Sequence, residues 1–205
     1  MVTWSRWAVA GPVASRPGAV RRIVLLGYMG TGKSTVGRAL ARRLGWRHLD
    51  FDREIERREG RRVAEIFHDE GELFFRDLEA ALTEEVTELR RVVLSPGGGW
   101  ITNPGVFERL QPGTLFVRLD ASPEEVLARL ARTRDERPLL AGPNPLSTIR
   151  RMLAEREPHY RRADLGIATD GRDVESIAAE IERRVQGALS AVGASPRAGP
   201  SPPAR

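Results

Sequence analysis

The chain has 205 residues, of which 40% are hydrophobic and 30% are charged, a composition typical of one soluble globular domain without a membrane span. It contains no cysteine, which excludes disulfides and thiolate chemistry and is compatible with the cytoplasm. Residues 1–20 and 187–205 hold four arginines and no acidic residue, so the rest of the chain has a net charge of only +1 out of the total of +5, which argues against a nucleic-acid-binding surface.

The two ends of the chain differ in composition from its centre. Residues 1–20 and 187–205 are rich in small residues, glycine and proline and show no hydrophobic periodicity, which predicts disordered extensions. Residues 21–186 are therefore expected to form a single domain.

Short apolar runs alternate with longer amphipathic stretches along this central region. The runs predict buried strands at residues 22–26, 46–49, 91–94, 114–119 and 164–169. Helical spacing of apolar residues predicts helices at 33–44 and 73–89, and Ser122 followed by Pro123 predicts the start of another. This alternation predicts a three-layer α/β/α fold around a five-stranded parallel sheet, with ligands bound at the carboxyl ends of the strands.

The first predicted strand ends in GYMGTGKST, residues 27–35, which matches the phosphate-binding pattern GxxxxGK[ST] in full. Glycines let backbone N–H groups surround a phosphate, and the following helix adds its positive end. Lys33 is the only lysine among 33 basic residues and is expected to neutralise the outer phosphates, while Ser34 is a candidate Mg²⁺ ligand. The sequence therefore predicts that ATP or GTP binds with Mg²⁺ at Gly30, Thr31, Gly32, Lys33, Ser34 and Thr35.

Two carboxylates follow the second predicted strand. Asp50 and Asp52 are two residues apart, and strand alternation would place them on the same side, one for the metal and one for an acceptor hydroxyl. The alternative is that either of them caps a helix over residues 52–59.

An arginine and a glycine triplet are the next candidates for ligand binding. Arg76 lies between Glu72 and Glu79 at helical spacing, which taken alone favours an ion pair on a solvated helix face. The third strand runs into Ser95-Pro96 and then into the triplet at 97–99. Each glycine costs conformational entropy, so the triplet favours close approach of a ligand to the backbone.

Residues 137–145 are rich in proline and glycine, which is typical of a mobile lid. We place this lid at about residues 134–146, with Arg137 as the arginine that it carries. Arg156 follows just before Pro158, which is expected to end a helix. The alternative for Arg156 is a position on a solvated helix face.

These segments, in this order over residues 21–186, resemble the shikimate kinase family, part of the nucleoside monophosphate kinase-like P-loop group. The resemblance rests on GYMGTGKST (27–35), LDFD (49–52), GELFFRDLE (71–79), PGGG (96–99), RPLL (137–140) and EREPHYRR (155–162). It implies a P-loop kinase fold with a mobile lid, ATP as co-substrate, Mg²⁺ as cofactor and shikimate as acceptor. It also implies an enzyme of chorismate and aromatic amino-acid biosynthesis. Composition and charge independently predict a cytoplasmic protein with no nucleic-acid or membrane partner, and a monomer is expected because a compact kinase core needs no partner to complete the site.

The resemblance assigns roles to the matching residues. The catalytic residues would be Lys33, Asp52 as candidate base, and Arg137. The metal would be held by Ser34 and, through water, by Asp50. The acceptor would be bound by Asp52, Arg76, Gly97, Gly98, Gly99 and Arg156. In addition to the phosphate loop, ATP would meet Arg137 and Arg132, the latter by stacking on adenine.

One residue departs from the family pattern. Trp100 stands where the family usually has a small or aliphatic residue, so it either reshapes the acceptor pocket or points into the neighbouring core. The alternative functions are a related kinase for gluconate or a nucleotide and, outside the enzymes, a non-catalytic nucleotide-binding protein. Arg76, the glycine triplet and Arg156 discriminate between them, because guanidinium groups suit a substrate carboxylate.

Overall fold

The computed structural model describes residues 20–132 and 144–190, and a five-stranded sheet forms its centre. The strands are β1 (Arg22–Leu26), β2 (Arg47–Asp50), β3 (Val92–Ser95), β4 (Thr114–Asp120) and β5 (Leu165–Ala168). All neighbouring strands are parallel, and their order across the sheet is β2-β3-β1-β4-β5. The predicted fold class is confirmed, and the end of every strand lies within one residue of the predicted position.

Helices flank both faces of this sheet. Within the described residues they are α1 (Lys33–Leu44), α2 (Phe51–Glu59), α3 (Val63–Asp69), α4 (Gly71–Glu85), α5 (Val106–Leu110), α6 (Pro123–Ala131), α7 (Pro145–Tyr160) and α8 (Val174–Ser190). The predicted bounds of α1 are confirmed. Gly32 and Gly45, on either side of it, adopt left-handed backbone angles that interrupt the helix. Ser122 starts α6 as predicted, since its side chain accepts the backbone N–H of Glu125. None of these helices combines the length and the apolar character that crossing a membrane requires.

Alternate residues of the three central strands, β3, β1 and β4, pack against opposite layers of helices. On β1, Ile23 and Leu25 pack with residues of α1 and α8, whereas Val24 and Leu26 pack with residues of α2, α4 and α5. The sheet is therefore covered on both faces, as expected for a parallel sheet of apolar strands.

The strand order brings three loops together. Because β3 lies between β1 and β2, the segments that follow these strands leave the sheet side by side at its carboxyl edge. They are the phosphate loop at 27–32, the start of α2 and the glycine triplet at 97–99. The sheet topology thus collects most of the predicted site residues at one place.

The buried face of α4 differs from the predicted apolar stripe. Leu73 and Phe74 lie on the apolar stripe whose spacing predicted this helix, but Leu73 is 83% exposed and Phe74 is 37% exposed. Leu82 of the same stripe is buried as expected, together with Phe75, Glu79 and Thr83. An acidic residue therefore occupies a core position, which the count of apolar residues could not reveal.

The prediction that Pro158 ends a helix is wrong, since α7 continues to Tyr160. A proline removes one backbone N–H from the helix, but the N–H of Arg161 still bonds the carbonyl of Glu157 at 3.0 Å. Tyr160 is only 2% exposed, so core packing holds the last turn in place. Tertiary contacts have therefore overridden the local signal.

Two predicted boundaries also differ from the structure. Pro145, inside the predicted lid, begins α7, where the Asn144 side chain accepts the backbone N–H of Ser147. Helix α8 runs to Ser190, past the predicted domain end at 186. Residues 134–143 of the predicted lid lie outside the described residues, as do positions 1–19 and 191–205 of the predicted extensions.

Candidate active site

The loop after β1 surrounds the side chain of Lys33. Lys33 Nζ donates to the carbonyl oxygens of Gly27 at 2.9 Å and Tyr28 at 3.0 Å, and the residue is 9% exposed. Gly32 has a φ of +95°, which lets the loop turn directly into α1. An ammonium group and the positive end of a helix thus lie in one loop, the arrangement that binds phosphate.

A cavity of about 320 Å³ opens beside this loop, toward α6 and α8. Its walls are formed by Thr31, Gly32, Thr35, Val36, Glu125, Arg129, Arg132, Gly171, Arg172, Val174 and Ile177. Arg132, which was expected to contact adenine, is therefore placed at the cavity next to the phosphate loop. Three of the lining residues are arginines, so the cavity suits an anionic ligand.

Arg129, on α6, was not among the predicted site residues. It donates to the Thr169 carbonyl at 2.7 Å and to the Thr169 hydroxyl at 3.1 Å. It also reaches the carbonyls of Gly30 and Thr31 in the phosphate loop, each at 3.4 Å. Arg129 thus braces the phosphate loop against the segment after β5, a contact between distant parts of the chain that leaves no local signal.

The three glycines of the triplet each lie against different atoms. A Cβ atom on Gly97 would lie 2.8 Å from Glu79 Oε1 and 3.1 Å from Asp52 Oδ1. A Cβ atom on Gly98 would lie 2.9 Å from the backbone nitrogen of Met29. A Cβ atom on Gly99 would lie 2.8 Å from Cζ of Arg76. The triplet was expected to make room for a ligand, whereas here it makes room for two carboxylates, the phosphate loop and a guanidinium group.

Arg76 forms the two ion pairs that its helical spacing predicts. Its guanidinium group lies 2.8 Å from Glu72 and 2.6 Å from Glu79. The expectation that these ion pairs lie on a solvated helix face is wrong, because the side chain of Arg76 is 16% exposed and that of Glu79 is fully buried. The signal for Glu79 was its place between Phe75 and Leu82 on the core face of α4.

Glu79 is a buried carboxyl group with a perturbed pKa. Its pKa is raised to about 7, mainly by burial and also by the carboxylate of Asp52, against the opposing influence of Arg76. Among the described residues, Glu79 Oε1 has no hydrogen-bond partner. Burial would lower the pKa of Arg76, but Glu79 and Glu72 raise it overall. The site therefore contains a carboxyl group that exchanges a proton near neutral pH.

Asp50 and Asp52 belong to different elements, so the expectation that strand alternation aligns them is wrong. Asp50 ends β2 and caps α2, since its carboxylate accepts the N–H of Arg53 at 3.2 Å. Asp52 lies in the first turn of α2 and faces Gly97. Asp50 also lines an open groove of about 470 Å³ with Arg38, His48, Leu49, Arg53, Glu54 and Arg57.

Arg156 and Tyr160 meet at one backbone carbonyl. Arg156 Nη1 donates to the carbonyl of Gly98 at 3.2 Å, and its guanidinium group lies 5.5 Å from the centre of the Tyr28 ring. Arg156 thus faces the triplet rather than a solvated helix face. The Tyr160 hydroxyl donates to the same carbonyl at 2.7 Å. Tyr160 was not among the predicted site residues, because a helix ending at Pro158 would not carry it onto the face of Arg156.

Trp100 points into the core, the second of the two expected alternatives. It is fully buried, and its Nε1 atom donates to the hydroxyl of Thr83 at 2.8 Å. Its ring meets Phe51 edge-on with 6.4 Å between the ring centres. Trp100 therefore packs between α4 and the start of α2 in the core. Arg137 lies outside the described residues.

Comparisons with known proteins give consistent matches along the chain. The family model described as Shikimate kinase matches residues 29–186. A curated relative named Shikimate kinase, from Geobacter metallireducens, is 42% identical over 179 residues, which cover 87% of this chain and 99% of that protein.

Solved structures give the same result. The structure of shikimate kinase from Acinetobacter baumannii in complex with shikimate is 38% identical, with a TM-score of 0.77, and the match covers 82% of this chain and 94% of that one. A gluconokinase from Sinorhizobium meliloti is 20% identical, with a TM-score of 0.53, and the match covers 84% and 93% of the two chains. The second similarity shows a shared fold alone.

Proposed function

We infer the reaction from one premise: the chain belongs to the shikimate kinase family. The protein transfers the γ-phosphoryl group of ATP to the 3-hydroxyl of shikimate and releases shikimate 3-phosphate and ADP. The observation that carries this assignment is the pair of guanidinium groups, Arg76 and Arg156, against the glycine loop that packs on the phosphate loop. A gluconate- or nucleotide-type kinase is not favoured, and neither is non-catalytic nucleotide binding.

We propose that the phosphate loop binds ATP through its backbone N–H groups and Lys33. The Lys33 ammonium would exchange the carbonyls of Gly27 and Tyr28 for the β- and γ-phosphates. Arg132 would stack on adenine in the cavity beside the loop. Arg137, outside the described residues, would stabilise charge on the transferring phosphoryl group.

Shikimate would bind at the glycine triplet, next to the phosphate loop that binds ATP. Arg76 and Arg156 would bind its carboxylate, because a guanidinium group presents a planar fork of donors to two carboxylate oxygens. Asp52 would accept a hydrogen bond from the 3-hydroxyl. The sugar-like ring would lie along Gly97, Gly98 and Gly99.

Ser34 and Asp50 would supply oxygen donors of the kind that Mg²⁺ prefers. Ser34, in the first turn of α1, makes no hydrogen bond through its side chain to another described residue, and Asp50 presents a carboxylate at the end of β2. Mg²⁺ commonly takes one or two protein oxygens and completes its shell with water and phosphate. When bound, it would neutralise charge on the phosphates of ATP.

The mechanism follows from positions and charges. The 3-oxygen of shikimate attacks the γ-phosphorus while the bond to the bridging oxygen of ADP breaks, and the hydroxyl proton passes to Asp52. Phosphoryl transfer needs mainly positioning and neutralisation of spread negative charge. Lys33 and Arg137 would supply that charge, and Asp52 would orient the acceptor. A lid at about 134–146 would exclude water, which otherwise competes for the phosphoryl group.

We further propose that the enzyme acts in chorismate and aromatic amino-acid biosynthesis, as a monomer in the cytoplasm. A monomer is supported by the clustering of the candidate residues within one chain. Residues 21–186, together with the end of α8 up to Ser190, would form the catalytic domain. No nucleic-acid or membrane partner is expected.

A coupled assay tests the substrate assignment. ATP, Mg²⁺ and shikimate should give turnover, whereas gluconate or a nucleoside monophosphate in place of shikimate should not. Arg76→Ala and Arg156→Ala should each raise the KM for shikimate by about 10- to 100-fold, since a charge-assisted hydrogen bond contributes about 1.5–3 kcal/mol. The KM for ATP should change far less. Equal losses for both substrates would contradict the assignment.

A further inference from the structure

We propose that Tyr160 is a positioning residue for phosphoryl transfer, which fixes the carbonyl of Gly98 and so holds the acceptor loop (residues 96–99) against the phosphate loop. This inference rests on the proposed function, because it assumes that shikimate binds along the acceptor loop. Tyr160 itself is not expected to touch either substrate.

Gly98 is the point where the two loops meet. A Cβ atom there would lie 2.9 Å from the nitrogen of Met29, 3.3 Å from the carbonyl carbon of Tyr28 and 3.5 Å from the carbonyl oxygen of Gly27. The two backbones are therefore in direct van der Waals contact with no side chain between them. A displacement of Gly98 would change the separation between the acceptor and the phosphate donor.

Two donors one helical turn apart fix the Gly98 carbonyl. The Tyr160 hydroxyl donates at 2.7 Å and Arg156 Nη1 donates at 3.2 Å, so both lone pairs of the oxygen can be used. The two side chains share a face only because α7 continues past Pro158. Since Tyr160 takes the shorter of these bonds, Arg156 can turn its other N–H groups to a carboxylate without releasing the loop.

The ring of Tyr160 is itself held from several sides. It is 2% exposed, and the guanidinium group of Arg118 lies 5.7 Å from its centre. Arg118 forms ion pairs with Asp120 and, at 2.8 Å, with Glu157. Burial raises the pKa of the phenol to about 12, so the hydroxyl keeps its proton and acts as a donor at neutral pH. The donor therefore has a fixed position relative to β4, which pairs with the strand that leads into the phosphate loop.

A positioning role has a kinetic signature that a purely structural role lacks. A misplacement of about 1 Å between reacting groups can lower the rate by about 100-fold. If the acceptor loop moves relative to the phosphate loop, transfer slows while ATP still binds. Water then competes better for the phosphoryl group, so ADP forms in excess over shikimate 3-phosphate.

The test is Tyr160→Phe in the full-length protein, which keeps the ring and removes only the hydroxyl. We expect kcat to fall by about tenfold, as expected for the loss of one positioning hydrogen bond. The KM for ATP should stay within about twofold of the parent value, and the ratio of ADP to shikimate 3-phosphate should rise above one. A second variant, Glu157→Gln, loosens the Arg118 support and should give the same pattern with a smaller loss of kcat.

Thr114→Val is the matched control. It removes a buried hydroxyl that accepts a 3.0 Å hydrogen bond from Arg22 at the end of the sheet away from the site. It should lower Tm without changing kcat or the product ratio. If the parent enzyme phosphorylates shikimate and the folded Tyr160→Phe protein matches it in kcat and product ratio, the positioning role is overturned. If Tyr160→Phe does not fold, an unchanged kcat and product ratio in Glu157→Gln overturns the positioning role instead. If the parent itself does not phosphorylate shikimate, the proposed function is what fails.

Discussion

Glu79 links the acceptor site to the pH dependence of folding. Its carboxyl group is fully buried, contacts Arg76 at 2.6 Å and lies near Asp52. Burial outweighs the attraction of Arg76, so the pKa is raised from 4.5 to about 7. The folded protein therefore holds a proton that the unfolded chain releases between these two pH values. The contribution of Glu79 to the free energy of unfolding is therefore fully present below about pH 4.5, and it is lost as the pH rises through about 7.

We expect Glu79→Gln to gain stability relative to the parent as the pH rises from about 5 to 7.5, because glutamine has no proton to release. The gain should be on the order of 2 kcal/mol, given about 1.4 kcal/mol for each unit of pKa difference. Urea unfolding at several pH values measures it. Glu72→Gln, which removes the exposed partner of Arg76, controls for the lost ion pair. A difference between Glu79→Gln and parent that does not vary with pH would contradict this account.

At the scale of helices and strands, local signals predicted the elements well where the ends are determined locally. The spacing of apolar residues predicted the bounds of α1, and Ser122 predicted the start of α6. The signals failed where tertiary contacts decide. Pro158 was expected to end a helix that Tyr160 anchors in the core. Strand alternation was expected to align Asp50 with Asp52, whereas Asp50 caps the helix that carries Asp52.

Arg129 provides a prediction about how α6 supports nucleotide binding. Arg129→Lys removes the planar fork that reaches Thr169 and the carbonyls of Gly30 and Thr31. We expect the KM for ATP to rise by about 3- to 10-fold, equivalent to the loss of roughly one hydrogen bond, with little change in kcat. Steady-state kinetics with varied ATP measures this.

The control for Arg129 lies on the same helix layer. Arg150 on α7 pairs with Glu124 on α6, and both side chains are more than half exposed. Arg150→Lys should leave the KM for ATP unchanged. If Arg129→Lys also leaves it unchanged, the phosphate loop does not depend on this brace.

At the scale of the whole molecule, the strand order determines which residues share the site. The sequence predicted five strands and the motifs at their ends, but not that β3 lies between β1 and β2. Strand order depends on long-range packing, which short periodic patterns do not contain. The same reason explains why Glu79 and Tyr160 were missed while the phosphate loop, Arg76 and Arg156 were found. The motifs are local, whereas the contacts that orient them join segments far apart in the chain.

The composition of the whole chain makes Lys33 a unique chemical handle. It is the only lysine of the sequence, so it is the one side-chain amine that an acylating reagent can modify. Lys33 is 9% exposed and sits under the loop that would hold the phosphates. An acylating reagent should therefore modify one internal peptide, and saturating ATP should slow that modification, which mass spectrometry of the digested protein would quantify. Covalent labelling at this single position would report occupancy of the nucleotide site without any engineered tag.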